Sequence, residues 1–184
     1  MAVSPFEVIA GPAKVYIATA NYTMPATTAT PSGSWVDLGY TEGGVTVTIN
    51  QEVNLIEADQ TTAPLKAIRQ KEGLEVEFGL ASLTLENMAR VMDALTVTTA
   101  TNDKWMGLSR GSTVAQQALL VRGPSPYGDW NMQFELPYVS MLDNPSVQFL
   151  KDNKSVLSTR WTAMQDPGHL ADSQRYGRLI AKFQ

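Results

Sequence analysis

The sequence has no cysteine and a single histidine, His169, among its 184 residues. Without thiols there is no disulfide framework, no thiolate metal site and no cysteine nucleophile. One imidazole rules out any site needing two histidine ligands, and a Ser-His-Asp triad would have to be built on His169. That residue follows Pro167-Gly168 and reads as a solvated loop histidine. No phosphate-loop or dinucleotide glycine pattern occurs. Gly107-Leu108-Ser109-Arg110-Gly111 carries no recognised mechanism and reads as a flexible loop. Long apolar runs are also missing, none approaching the roughly 18 residues of a membrane-spanning helix. Met1-Ala2-Val3-Ser4-Pro5-Phe6-Glu7 lacks the basic stretch and apolar centre of a secretory signal, so a cytosolic origin with no membrane role is expected.

Positive charge is scarce over a long stretch. There is no Lys or Arg from Val15 to Leu65, whereas Asp37, Glu42, Glu52, Glu57 and Asp59 all fall there. After Asn144 the balance reverses: Lys151, Lys154, Arg160, Arg175, Arg178 and Lys182 face Asp152, Asp166 and Asp172. Two readings fit: separate solvated surfaces, or an acidic region of one copy meeting the basic tail of another. The net charge of -4 and a pI near 5.0 argue against gripping nucleic acid by phosphate neutralisation and against a polybasic membrane surface.

What is present suits one domain with a sizeable core. Hydrophobic residues make up 43% and charged residues 17% of the chain, below the roughly 25% charged typical of soluble proteins. That leaves neutral surface for protein contacts. Ala13–Ala18 and Trp35–Tyr40 read as short strands separated by a charge-free Thr/Ala/Pro/Ser loop, Thr19–Ser34, expected to face outward. After Gly43-Gly44, Val45, Val47, Ile49, Val53 and Leu55 alternate with Thr46, Thr48, Asn50, Glu52 and Asn54, so one strand face is buried and the other polar. Glu57–Ala63 is polar and reads as a loop, and Pro64–Lys71 suits a helical turn or a strand equally. From Gly73, Leu74, Val76, Phe78 and Leu80 alternate with Glu75 and Glu77. Leu85, Met88, Ala89, Met92 and Leu95 recur at helical spacing over Thr84–Leu95, with Ser82 or Thr84 as cap and Asn87, Arg90 and Asp93 toward solvent. Thr96–Thr113 reads as a polar connection. Strands resume at Gln117–Arg122, Trp130–Met141, Val147–Leu150 and Val156–Met164, and the tail ends in a last strand or arm. The expected fold is mainly β (α+β), a β-sandwich or partly open barrel with one packed helix.

Candidate chemistry is thin. Glu75 and Glu77 share a strand face at a spacing that glycoside hydrolysis could use, but such pairs are common on solvated or interface surfaces. Glu52, Glu57 and Asp59 are acidic without the dense oxygen ligands of a calcium loop. Trp35, Trp105, Trp130 and Trp161 are scattered and read as packing residues. No catalytic residue, metal or cofactor is expected.

The succession from Gly39 to Leu95 carries a resemblance. Gly39-Tyr40-Thr41-Glu42-Gly43-Gly44-Val45 enters an alternating strand, followed by Ile56-Glu57-Ala58-Asp59-Gln60, Leu74-Glu75-Val76-Glu77-Phe78 and Leu85-Glu86-Asn87-Met88. This order resembles the major tail proteins, or tail tube proteins, of long-tailed phages, which share a fold with the inner tubes of contractile tails and type VI secretion. The resemblance implies hexameric rings stacked into a hollow tube, each subunit lending about four strands to a continuous inner barrel. About 24 strands at roughly 4.8 Å spacing and 40° tilt give a backbone diameter near 50 Å, narrowed by side chains to about 40 Å.

Further expectations follow from that resemblance. Thr46, Thr48, Asn50, Glu52, Glu75 and Glu77 would line a lumen that lets viral DNA slide. Glu57 and Asp59 would sit in an inter-ring loop mapped onto Glu52–Pro64. Residues 1–12 and 167–184 would be terminal arms, with Arg175, Arg178 and Lys182 making contacts in the C-terminal one. Tape-measure and terminator or tip proteins would be partners, and the virion tail, assembled in the host bacterial cytoplasm, the location. The alternatives from other classes are a β-sandwich adhesin or carbohydrate-binding module, and a small carboxylate hydrolase.

Overall fold

The computed structural model describes residues 9, 11–57, 59–93, 95–149, 151–168 and 171–183. The strands in chain order are β1 (Lys14–Thr19), β2 (Val36–Asp37), β3 (Thr41–Ile56), β4 (Lys66–Leu80), β5 (Val97–Thr99), β6 (Lys104–Met106), β7 (Gln117–Pro124), β8 (Asn131–Ser140), β9 (Ser146–Val147), β10 (Leu157–Ala163) and β11 (Arg178–Ala181). One helix, α1 (Leu85–Val91), follows β4. Nine strands form an antiparallel sheet in the order β2-β1-β7-β8-β10-β4-β3, with β11 on β8 and β9 on β10; β5 and β6 form a separate small hairpin.

The sheet has a narrow waist. β8 meets β10 only at Ser140–Thr162 and Val139–Ala163, while the rest of that β8 edge pairs with β11. On either side of the waist, alternate residues point into one shared core. Val15, Ile17, Leu119, Val121, Leu136 and Val139 come from β1, β7 and β8; Val76, Phe78, Leu80, Leu157 and Trp161 come from β4 and β10. Period-two alternation therefore generates both walls of this core. Leu83, Met88, Val91 and Met92 of α1 and its flanks pack against it.

α1 is shorter than the periodicity predicts. Thr84 caps it, its Oγ1 accepting from Asn87 N at 3.2 Å. The helix stops at Val91 because Asp93 turns into the left-handed region (φ 70°), where its carboxylate accepts from Ala115 N at 2.5 Å. Asn87, expected toward solvent, is tied inward, its Nδ2 donating to Leu38 O and Ser82 O, and the main-chain carbonyl of Arg90 accepts from Gln117 Nε2.

A second, smaller core lies on the opposite face of β1 and β7. Tyr16, Ala18, Ala118 and Leu120 pack there with Trp35, Tyr22 and Met24. The charge-free stretch 19–34 runs over this face as a strap. Arg122, itself buried, donates to Ala29 O (2.7 Å) and Ala26 O (3.1 Å); Gln133 Nε2 reaches Pro25 O, and Asn131 Nδ2 reaches Thr27 O. Burial pushes the Arg122 guanidinium below its ordinary range, opposed by the field of Tyr16 and Glu135. A segment without charges of its own is held by its main-chain carbonyls.

The tail folds back on the same subunit. β11 pairs with β8 from Arg178–Glu135 to Ala181–Met132. Gly177 makes this docking possible: at φ 123° a Cβ would sit 2.0 Å from Glu135 O.

Candidate functional site: a polar sheet face and a projecting hairpin

Two surfaces distinguish this subunit from a closed β domain. The first is the face of β3, β4 and β10 turned away from the core. Directly opposed residues of antiparallel strands share a face. The register opposes Thr46 to Glu77, Thr48 to Glu75, Asn50 to Gly73 and Glu52 to Lys71, so the six residues expected to line a lumen do lie together on one polar face. On the other side of β4, Arg160 and Thr162 of β10 oppose Glu77 and Glu75. No described segment packs over this face as the strap packs over β1 and β7.

The second surface is the distal β3–β4 hairpin. Every described residue from Thr48 to Glu72 is exposed, on both strands and both faces. Beyond Asn50 the ribbon continues for about 20 Å at 3.3 Å per residue, with β4 as its only strand partner. Glu52–Ile56, expected in a loop, are strand; the turn is residues 57–65, closed by Leu65 N donating to Ile56 O at 2.8 Å. Lys66–Lys71, equally suited to a helical turn, are strand as well, because pairing with β3 settles their conformation. Glu57 and Asp59 stand exposed at the tip; Ala58 lies outside the described residues. This ribbon carries six exposed aliphatic side chains: Ile49, Val53, Leu55, Ile56, Leu65 and Ile68.

The whole outer edge of β3 is also unpaired among the described residues, since β3 has β4 as its sole neighbour. Such an edge is a template for another strand. Gly43 and Gly44, both with positive φ, form an irregularity near its start that interrupts the edge before Val45.

The three cations expected in a C-terminal arm are engaged within the subunit. Arg175 lies 3.5 Å from Glu72 and 3.3 Å from Asp172; Arg178 Nε donates to Glu135 at 2.7 Å; Lys182 sits 3.7 Å above the ring of Trp130. Acidic and basic halves of the sequence meet in cis as well, through Lys154–Glu42 and Arg160–Glu77. Sequence reasoning missed these contacts because charge clustering carries no information about which copy supplies the partner.

Nothing here assembles a catalytic centre. Ser109 is exposed in irregular chain with no helix after it, the wrong setting for a nucleophile elbow, and His169 lies outside the described residues. Among the described residues no cluster of three or more His, Asp or Glu is placed to hold a metal ion. Trp35 and Trp161 are buried in different cores, so the four tryptophans do not form a sugar-stacking platform. A cleft of about 800 Å³ lies between Lys14, Arg122, Asp129 and Trp130, lined by polar and apolar groups alike.

Comparison with known proteins identifies a family. The family described as phage tail tube protein matches residues 1–173. A chain of the anti-feeding prophage baseplate, solved by cryo-EM with 6-fold symmetrisation, aligns over 98% of this chain and 96% of its own, at 10% identity and a TM-score of 0.48. No curated protein matches. With nearly its full length matched, the chain belongs to the phage tail tube protein family, and it is a structural protein, not an enzyme.

Proposed function

We propose that this protein forms hexameric rings stacked into the tail tube of a phage, and that the tube is the conduit for viral DNA at ejection. The observation that carries the proposal is the projecting hairpin. A two-stranded ribbon with aliphatic side chains exposed on both faces gains nothing within its own subunit. It makes physical sense when a second copy covers it, and a head-to-tail contact of this kind propagates along a stack. Glu57 and Asp59 at its tip belong to that inter-ring contact in this reading.

The open β3 edge supplies the other direction of growth. Pairing of this edge with a neighbouring copy closes a ring and removes the liability of the exposed outer edge of a sixteen-residue strand. The polar face of β3, β4, β10 and β9 then becomes the wall of the bore, with Thr46, Thr48, Asn50, Glu52, Glu75 and Glu77 toward the DNA. Hydroxyls, amides and an excess of carboxylates give passing phosphates little to hold. Residues 1–12 and the tail from Pro167 are assigned to contacts between rings through surfaces left after β11 has docked. Tape-measure and terminator or tip proteins complete the tail, which is assembled in the host cytoplasm.

The test is assembly. Purified full-length protein is expected to sediment as rings and tubes at rising concentration and to show tubes in negative stain. The double variant L55D/I68D is expected to stay folded and to stop short of tubes. Wild-type protein that remains monomeric at every concentration, or a variant that tubulates normally, overturns the hairpin's role.

A further inference from the structure

The carboxylates on the open face of β3, β4 and β10 do not stand alone. Glu42 and Gly79 are opposed, which puts Glu42 on the same face as Glu77 and Glu52. Three cations lie against these acids. Lys154 Nζ is 2.5 Å from Glu42 Oε2, Lys71 Nζ is 3.0 Å from Glu52 Oε2, and Arg160 Nε is 2.6 Å from Glu77 Oε1 with Asp143 Oδ2 at 3.8 Å. With Glu75 included, five carboxylates meet three cations, an excess of two negative charges per chain.

Arg160 is the cation in the centre of the face, opposite Glu77 across the β10–β4 ladder. The Glu77 hydrogen bond, and the charges of Glu77, Asp143 and Glu75, hold its guanidinium above the ordinary range. An arginine at this position with no carboxylate beside it would present a planar fork of donors, the geometry that binds phosphate best. Repeated around a ring and along a stack, it would make the wall adhesive to a duplex. Arg160 also joins β4 to the turn ahead of β9 through Asp143, so it has a structural reason to be there.

We infer that Glu77, assisted by Asp143, masks Arg160, holding its Nε and offsetting its charge so that this arginine does not act as a phosphate ligand on the bore wall. The inference rests on the assignment of this face to the bore. It differs from repulsion by acids in general. Masking depends on the carboxylates within ion-pair distance of Arg160, Glu77 foremost and Asp143 second, and Glu75, which makes no ion pair among the described residues, cannot substitute for them.

Co-sedimentation of a short fluorescent DNA duplex with assembled full-length tubes separates these possibilities. Wild-type tubes are expected to retain little duplex. E77Q tubes are expected to retain at least about tenfold more at 50 mM salt and to release it by about 200 mM. Retention is expected to vanish in E77Q/R160Q, and E75Q is expected to stay within about twofold of wild type. D143N gives a milder unmasking should E77Q tubes form poorly. Equal retention by E75Q and E77Q, or no gain in E77Q, overturns masking. The variant E75K/E77K tells the two failures apart. If it retains duplex while E77Q does not, the face is the bore wall and masking alone is wrong. If tubes of E75K/E77K retain none either, the assignment of the face to the bore falls with it.

Discussion

Along β3 and β4 the same two strands pass through two environments. Near the body, Val76, Phe78 and Leu80 are buried and Val45, Val47 and Leu74 pack against the core beside Trp161. From Thr48 outward and back to Glu72, nothing is buried, yet aliphatic residues continue at the same alternation. Ile49, Val53 and Leu55 extend the core-facing row of β3 beyond any core. In the body, the row stabilises the fold of one chain; in the arm, it stores apolar surface for contact with another. Identical sequence patterns thus serve folding at one end of a hairpin and association at the other.

Substitutions at three positions sharpen that contrast, from the largest expected effect on subunit stability to the smallest. Trp161→Ala empties the centre of the core and is expected to cost about 3–5 kcal/mol in urea unfolding; Trp161→Phe should cost much less, because Nε1 of Trp161 has no hydrogen-bond partner to lose. Gly177→Ala places a methyl against Glu135 O, so about 1–3 kcal/mol is expected, with faster hydrogen exchange along Arg178–Ala181. Leu55→Ala, in the arm, is expected to change unfolding by no more than about 0.5 kcal/mol. An arm residue that proved as costly as Trp161 would erase the distinction between the two ends.

The sequence made much of this legible, for definable reasons. Alternation from Val45 and from Leu74 marked both strands and sorted Glu75, Glu77, Thr46 and Thr48 onto one face, because a period of two is imposed by the backbone itself. Turn residues located the later strands within a few positions. Other features depend on partners far along the chain. Glu57–Ala63 read as a loop and lie in the turn, but Glu52–Ile56, assigned to the same loop, stay in strand: Gln51 Oε1 accepts from Arg69 Nε across the ladder and the pairing runs through to Ile56. The strap was hidden because its anchors, Arg122, Gln133 and Asn131, lie about a hundred residues downstream. The small β5–β6 hairpin, read as a plain connection, is fastened to α1 by Lys104 Nζ at 2.6 Å from Glu86, which holds that carboxyl below its usual range. The tail looked free because nothing in its composition announces that β8 has an edge waiting for it.

The strap over β1 and β7 has a consequence for how this surface can change through descent. Arg122 and its neighbours grip carbonyl oxygens, which every amino acid provides, and the side chains of Ala26, Thr28, Ala29 and Thr30 point into open solvent. Attachment and lettering are therefore decoupled: the outer coat of the subunit is free to be rewritten, residue by residue, while the clasp beneath it stays the same.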